Sequence, residues 1–583
     1  MKQARLEQAR ELLASGHLEK AKLAAQRAVQ ASPADPAAAL LLCEILYTAG
    51  QAAQARHYAS KAADLCRNDT AGLLAAAQFL SLVGAHEAAE KAQRRAIELT
   101  PMDAAPHAAL VAGLSERRRF VDAERVCRDA LAAIPGDLSL ESLLAGALLN
   151  QSRAREAADL LADLARRFPG NAAVAGGLAL VLNYPSGVSR EEHFAAHRRF
   201  GQIIEAQPPV AVLPPRPATE PERRLRVGLI SPDLRRHSVA SFIEPLLQHA
   251  DRERLEFVVY YTNAVADDVT ARLRPLAALW HGAERATDEQ LALQVRADGV
   301  DILLELSGHT HGGCLPVLNA RPASLQGSYC GYPNTTGLGR ADLRLVDSLT
   351  DPPGAESFST ERLVRIDPCF LCYTPPAESP EPRLPEPGRP ITFGSFNAAQ
   401  KLSDDTVSLW ARVLAACPGA RLLLKAVNFA DAGVRHIVAG RFARAGVSPD
   451  RLELRAPTAD QRDHLAGYHD VDIALDPTPY AGTTTTCEAL WMGVPVVTLA
   501  GDRHAARVGF SLLHAAGAPE LIAQTSDAFV AISARLAADE AARAAYRATL
   551  RDRLRQGVLC DGPAFARRFE AALRSVWRSH CTV

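Results

Sequence analysis

The chain has 583 residues, with 65 Lys plus Arg against 66 Asp plus Glu and a formal net charge of −1. Such a length allows about three or four domains, and 48% apolar residues with balanced charge exclude disorder as a whole-chain description. Balance also argues against general binding to nucleic acid or an anionic membrane, and an aromatic share of only 5% calls for a core filled by small residues.

The opening segment MKQARLEQARELLASG carries charge throughout and lacks an apolar core, so it does not read as a signal peptide. No run of about 18 apolar residues suggests a membrane span. Eleven cysteines follow no disulfide-like rhythm, and the lone CxxC, Cys369 to Cys372, has no second pair for a zinc site. These features fit a reduced, cytoplasmic protein.

The first third repeats itself. Pro33, Pro101, Pro135 and Pro169 fall on a spacing of 34, with Arg67 on the missed beat, and Asp35, Asp69, Asp103, Asp137 and Asn171 follow two residues later. Gly16, Gly50 and Gly84 keep the same period, as do Ala21, Ala55, Ala89, Ala123 and Ala157, and Ala28, Ala62, Ala96 and Ala130. Proline followed by a capping carboxylate or amide marks a helix start. Glycine suits the turn between paired helices, and alanine lets helices cross closely. Period 34 in this order predicts tetratricopeptide repeats, which offer a surface for peptides or proteins. The pattern fades after Asn171, and Ser189–Glu205 reads as a helix capping the stack.

Pro208, Pro209, Pro214, Pro215, Pro217 and Pro221 form a breaker-rich linker. Beyond it short apolar runs alternate with amphipathic stretches: Leu225–Ile230, Phe257–Tyr261, Ile302–Leu306 and Leu343–Val346. A second break, Pro375 to Pro390, holds seven prolines in sixteen residues. Strand-like runs then resume at Ile391–Phe393, Arg421–Leu424, Arg451–Leu454, Val471–Leu475 and Pro495–Leu499. This alternation predicts two α/β lobes with parallel sheets, whose ligands sit beyond the carboxyl ends of the strands. The tail reads as helical and crosses back to the first lobe.

Asp476-Pro-Thr-Pro-Tyr-Ala-Gly-Thr-Thr-Thr-Thr-Cys-Glu488 follows the run Val471–Leu475 and opens a helix that stops at Gly493-Val494-Pro495. Gly482 and Thr483–Thr486 are therefore expected at a helix N-terminus, where free amides, hydroxyls and the dipole suit a diphosphate. Glu488, one turn in, is placed to accept hydrogen bonds from a ribose diol. Ser395-Phe396-Asn397-Ala398-Ala399-Gln400-Lys401 follows another strand, and a lysine there can neutralise diphosphate charge. His237 follows the first strand and is expected to face the cleft between the lobes. Gly308-His309-Thr310 and Gly331-Tyr332-Pro333 end later strands of the same lobe and are expected to line that cleft. Asp470-Val471-Asp472 heads a strand and reads as structure, not as a metal motif.

Together Ser231-Pro232-Asp233-(x)3-His237, Arg321-Pro322, Gly331-Tyr332-Pro333, Ser395-Phe396-Asn397-(x)3-Lys401, Gly482-Thr-Thr-Thr and Gly493-Val494-Pro495 resemble the O-linked N-acetylglucosamine transferases. The resemblance implies tetratricopeptide repeats over residues 1–205, a linker over 206–223, and a two-lobed double-Rossmann (GT-B) transferase. Its lobes would span 224–378 and 391–583, joined by a link over 379–390. It implies inverting, metal-independent transfer of N-acetylglucosamine from UDP-GlcNAc to Ser or Thr of protein acceptors, with no cofactor. Lys401, Thr484 and Thr485 would contact the diphosphate. Asn397, Gln400 and Thr483 would border the donor, Glu488 the ribose, and Ala459 and His464 the uridine. His237 and Lys401 would be catalytic, with His309, Gly331, Tyr332 and Pro333 as a candidate sugar or acceptor pocket. The sequence departs from the family pattern at Ala398, Thr483, Gln461 and Glu488, and it lacks the extra interlobe domain of animal members. Another UDP-hexose, an Asn or small-molecule acceptor, or a repeat adaptor with inactive lobes are the alternatives.

Overall fold

The structure, a computed structural model, describes residues 2–214, 220–384, 386 and 388–582. Of the linker prolines, Pro215, Pro217, Pro385 and Pro387 lie outside the described residues. The chain divides into two compact units, Met1–Gln151 and Ser152–Val583.

The first unit is an array of helix pairs running from Lys2–Ala14 to Leu138–Asn150. Its logic is that of the 34-residue period. Asp103 and Asp137 cap their helices by accepting from Ala105 N–H at 3.0 Å and Leu140 N–H at 2.9 Å, which satisfies amides the helix itself cannot. Asp69, on the beat where proline is missing, makes no such bond. Ala21, Ala55 and Ala123 are fully buried, so the methyl group is the contact surface that lets neighbouring backbones approach. Leu41, Leu42, Ile45 and Leu80 fill the remaining core. Large aromatic side chains are absent from this cluster of buried residues.

Gly16, Gly50 and Gly84 occupy the left-handed region at φ +75°, +71° and +72°. The next two positions of the period, Arg118 and Ser152, take the same conformation at φ 60° and 63° without being glycine. The backbone turn therefore persists for two beats after its sequence signature ends.

The second unit begins with three helices, Ala154–Arg167, Ala172–Val181 and Arg190–Glu205. Phe200, Ile203 and Ile204 of the third share a buried cluster with Val258, Leu303 and Leu318 of the first α/β lobe. Helix and lobe meet so closely at Gly201 that a Cβ there would lie 1.8 Å from the Gly337 carbonyl oxygen.

The first lobe contains β1 (Leu225–Ser231), β2 (Leu255–Tyr261), β3 (Leu279–Gly282), β4 (Ile302–Glu305), β5 (Leu325–Ser328), β6 (Leu343–Val346) and β7 (Arg362–Arg365). The second contains β8 (Thr392–Ser395), β9 (Arg421–Lys425), β10 (Leu452–Arg455), β11 (Ile473–Leu475), β12 (Val496–Leu499) and β13 (Ile522–Ala523). Both sheets are parallel throughout, with orders β3-β2-β1-β4-β5-β6-β7 and β10-β9-β8-β11-β12-β13. The central strands are buried on both faces, which is why they read as unbroken apolar runs. Chain order reverses beside β1 and β8, the positions where doubly wound sheets leave a crevice. The architecture is thus a helical-repeat array followed by two Rossmann-like lobes.

The closing helix Gly562–Cys581 packs against Ser238–His249 of the first lobe. Arg574, 3% exposed, donates to the carbonyls of Pro221 at 3.1 Å, Arg223 at 2.6 Å and Arg254 at 3.2 Å.

Candidate active site

The second lobe gathers the polar residues expected for a donor site at the carboxyl ends of β8 and β11. After β8 the chain turns through a short 3-10 segment, Ala399–Lys401, with Gln400 half-buried within it. The Lys401 ammonium donates to the Ala481 carbonyl at 2.7 Å and to Asn397 Oδ1 at 3.4 Å, and lies 4.1 Å from the Tyr480 ring centre. Burial pulls its pKa down to about 8, against the opposing pull of Asp476. Asn397 Oδ1 also accepts from the Thr485 hydroxyl at 3.1 Å. One amide oxygen therefore ties the strand-end lysine to the helix that starts after β11.

That helix spans Thr484–Trp491, with Thr483 as its N-cap residue. Thr483 supplies no side-chain cap, and the buried Thr484 Oγ1 has no hydrogen-bond partner. The first-turn amides and a hydroxyl are thus left for something other than the protein. Gly482 is required by crowding: a Cβ there would meet Thr486 Oγ1 at 2.6 Å and Thr485 Oγ1 at 2.7 Å. Its N–H donates to Asp476 Oδ1 at 2.6 Å, and Asp476 Oδ2 accepts from Thr498 at 2.7 Å. Burial raises the Asp476 carboxyl to about 6 despite these donors and Lys401.

Glu488, 6% exposed, accepts from Gln461 Nε2 at 3.1 Å and contacts His464 Nε2 at 3.1 Å. The helix Gln461–Ala466 therefore holds the carboxylate from one side, while Ala459 lies exposed in the bend before it. Lys425, at the end of β9, was not singled out by the motif reading. It is 4% exposed, donates to Thr458 Oγ1 at 3.1 Å and sits 5.4 Å from the Phe396 ring. Its signal was the three-leucine run directly before it, which places a lysine at a buried strand end. Asp472 accepts from Thr392 N–H at 2.7 Å and pairs with Arg389 at 3.0 Å, a sheet-end contact. Among the described residues no three His, Cys, Asp or Glu side chains are grouped as metal ligands.

The first lobe is arranged differently. His237 is the N-cap of helix Ser238–His249, and its Nδ1 accepts from Val239 N–H at 3.3 Å. This bond requires a lone pair on Nδ1, so the neutral ring carries its proton on Nε2. Its side chain is 39% exposed, yet desolvation by its neighbours lowers its pKa, with Asp233 at 3.7 Å opposing. A helix N-terminus favours the neutral ring in the same sense.

His309 and Tyr332 were expected to line the cleft, but their side chains turn toward the preceding helices. Tyr332, 6% exposed, contacts His197 Nε2 at 2.7 Å and accepts from Asn183 at 3.0 Å. His197 Nδ1 bonds the His193 carbonyl at 2.7 Å, so the phenol donates to Nε2. His309 donates to the Thr336 carbonyl at 2.9 Å and packs its ring against Phe200 at 4.6 Å. Burial lowers its pKa to about 4. Pro333 is buried, and a Cβ on Gly331 would lie 1.8 Å from the Leu306 carbonyl. Hydrogen bonds to Asn183 and His197 hold Tyr332, and the Thr336 carbonyl and the Phe200 ring hold His309.

The profile of glycosyl transferase family 41 matches residues 206–373 and 381–568. A probable UDP-N-acetylglucosamine–peptide N-acetylglucosaminyltransferase SPINDLY of Arabidopsis thaliana is 39% identical over 409 residues, covering 69% of this chain and 44% of that protein. Its namesake in Solanum lycopersicum is 38% identical over 410 residues, with coverages of 69% and 44%. The chain thus spans under half the length of these curated relatives. A solved structure of Thermobaculum terrenum O-GlcNAc transferase aligns with TM-score 0.82 and 33% identity, covering 88% of this chain and 98% of that one. Family profile, relatives and fold agree: the chain belongs to glycosyl transferase family 41.

Proposed function

We propose that this protein is an inverting glycosyltransferase that moves N-acetylglucosamine from UDP-GlcNAc to Ser or Thr hydroxyls of protein acceptors without a metal ion. The carrying observation is the Lys401–Asn397–Thr485 link beside an uncapped helix start. As the donor's glycosidic bond breaks, charge develops on the leaving diphosphate. Lys401 and the amides and hydroxyls of Thr484 and Thr485 would meet it, and such preorganised donors are the largest usual source of rate. Glu488 would hold the ribose, and Ala459 and His464 would border the base. His237, protonated on Nε2, would donate a hydrogen bond and orient substrate. It would not take the acceptor's proton. The helical repeats of residues 1–205 would bind acceptors, and the two lobes, 224–378 and 391–583, would work in the cytoplasm. The names of the family relatives and of the bacterial structure support this reading.

A second reading keeps the fold and changes the donor to another UDP-hexose. It is favoured by Thr483, which makes no cap bond, and by Gln461, which fills its amide donor with Glu488. The test is product mass spectrometry on acceptor peptides with UDP-GlcNAc and competing nucleotide sugars, with and without EDTA. We expect UDP-GlcNAc to win and EDTA to leave the rate unchanged. Transfer only from a competitor would overturn the donor assignment, and no thermal shift with UDP would point to an adaptor.

A further inference from the structure

A small cavity of about 30 Å³ lies where helix Arg190–Glu205, the first lobe after β6 and the second-lobe loop after β12 meet. Its lining includes Arg190, Arg344 and Arg503, with His193, His504 and Asp351. Three guanidinium groups against one carboxylate leave the wall strongly positive. Arg344 is 4% exposed, and its Nη2, like the buried Nε of Arg190, has no hydrogen-bond partner. The other Arg344 terminus reaches Asp351 at only 3.4 Å, and Arg190 lies 4.0 Å over the Phe358 ring with no carboxylate partner among the described residues. Arg503 pairs with the exposed Asp502 at 2.9 Å and donates to the Val188 carbonyl at 2.6 Å. Half-buried Arg507 adds positive field from the second lobe, offset by the carboxylates of Asp351 and Asp347.

A buried guanidinium N–H without an acceptor is costly, and the volume exceeds the 10–15 Å³ that one water requires. We propose that this junction binds one small monovalent inorganic anion, of chloride size, held by Arg344 Nη2 and Arg190 Nε. The site is separate from the donor pocket, and its occupant ties both lobes to the last helix of the N-terminal series. Other observations agree with a positive wall. Burial and the Arg503 cation lower the pKa of His193 to about 3. Asp351, despite burial, is held below the usual carboxylate range by His504 and Arg344.

The test uses the full-length protein in sodium chloride, bromide or gluconate at matched ionic strength, since gluconate is too large to enter. We expect a saturable Tm rise of roughly 2 °C in the halides over gluconate, and a bromide anomalous peak beside Arg344 Nη2 in crystals. Asp351→Asn, which removes the competing carboxylate, lowers the half-saturating halide concentration, and Arg344→Gln raises it at least tenfold. If Arg344→Gln does not fold, Arg190→Gln carries the same expectation. Half-saturation unchanged in the variants, or no anomalous peak at the cavity, overturns the proposal and leaves water as the occupant.

Discussion

The two lobes share a strand order but use their strand ends in opposite ways. In the second lobe the residues after β8 and β11 bond mainly to one another, through Lys401, Asn397 and Thr485, and leave a helix start uncapped. In the first lobe the equivalent loops are closed by packing. Glu305 staples one of them by accepting from Ser307 N–H at 3.0 Å and Cys314 N–H at 3.2 Å, and Tyr332 faces helices. At the first switch point His237 stays exposed, beside Arg236 and Ser238. A doubly wound sheet therefore tells where a ligand can sit, while neighbouring packing decides which loop keeps free polar groups.

The strongest way to break this contrast is Lys401→Ala. We expect transfer to fall at least about 100-fold, as when one preorganised donor is removed, with Tm unchanged or raised because a buried ammonium is deleted. The pH dependence sharpens it. The protonated ammonium is the competent form and its pKa is about 8, so kcat/KM for the donor is full below that pH and declines above it. The sign for stability is opposite. With the folded pKa below the unfolded one, the burial penalty applies at low pH and fades as pH rises from about 8 toward the ordinary lysine value. Full activity of Lys401→Ala, or a flat profile to pH 10, would refute the donor-site assignment.

The next effect is smaller. His237→Ala is expected to lose about tenfold in kcat, together with about 1 kcal/mol of stability from the missing cap. His237→Asn, which keeps both an acceptor for Val239 N–H and an amide donor, should recover much of both. A base role requires the Asn variant to be as inactive as Ala. On the packed side, Tyr332→Phe strands His197 and Asn183 and should cost about 1–3 kcal/mol of stability, while donor KM stays put. A rise in KM instead would return Tyr332 to the cleft. Smallest is Arg118→Gly in the repeats, expected to stabilise by roughly 0.5–1 kcal/mol because φ 60° strains a side-chain-bearing residue. Chemical denaturation measures it.

Much of this was legible beforehand, for identifiable reasons. Period 34, the β-branched and leucine runs, and the Gly482–Thr486 segment each reflect local chemistry, so spacing exposed them. β3, Leu-Trp-His-Gly, and β5, Leu-Gln-Gly-Ser, lack such runs and are strands because their neighbours pair with them. Arg118 and Ser152 adopt the left-handed turn conformation without the glycine that would announce it. Tyr332 lies four residues past the end of β5, and its direction depends on Asn183 and His197, 149 and 135 residues earlier, which no local pattern records. Lys425 was missed because a terminal lysine on a strand ordinarily meets water.

The union of helix Arg190–Glu205 with the first lobe bears on how such a protein is shortened or rebuilt. Trimming at the proline linker, where the compositional boundary lies, would strip Phe200, Ile203 and Ile204 from Val258 and Leu303 and bare an apolar face prone to aggregation. Trimming after Gln151 leaves that face covered. The structural boundary thus falls after residue 151, and the three helices from Ala154 to Glu205 belong with the α/β lobes.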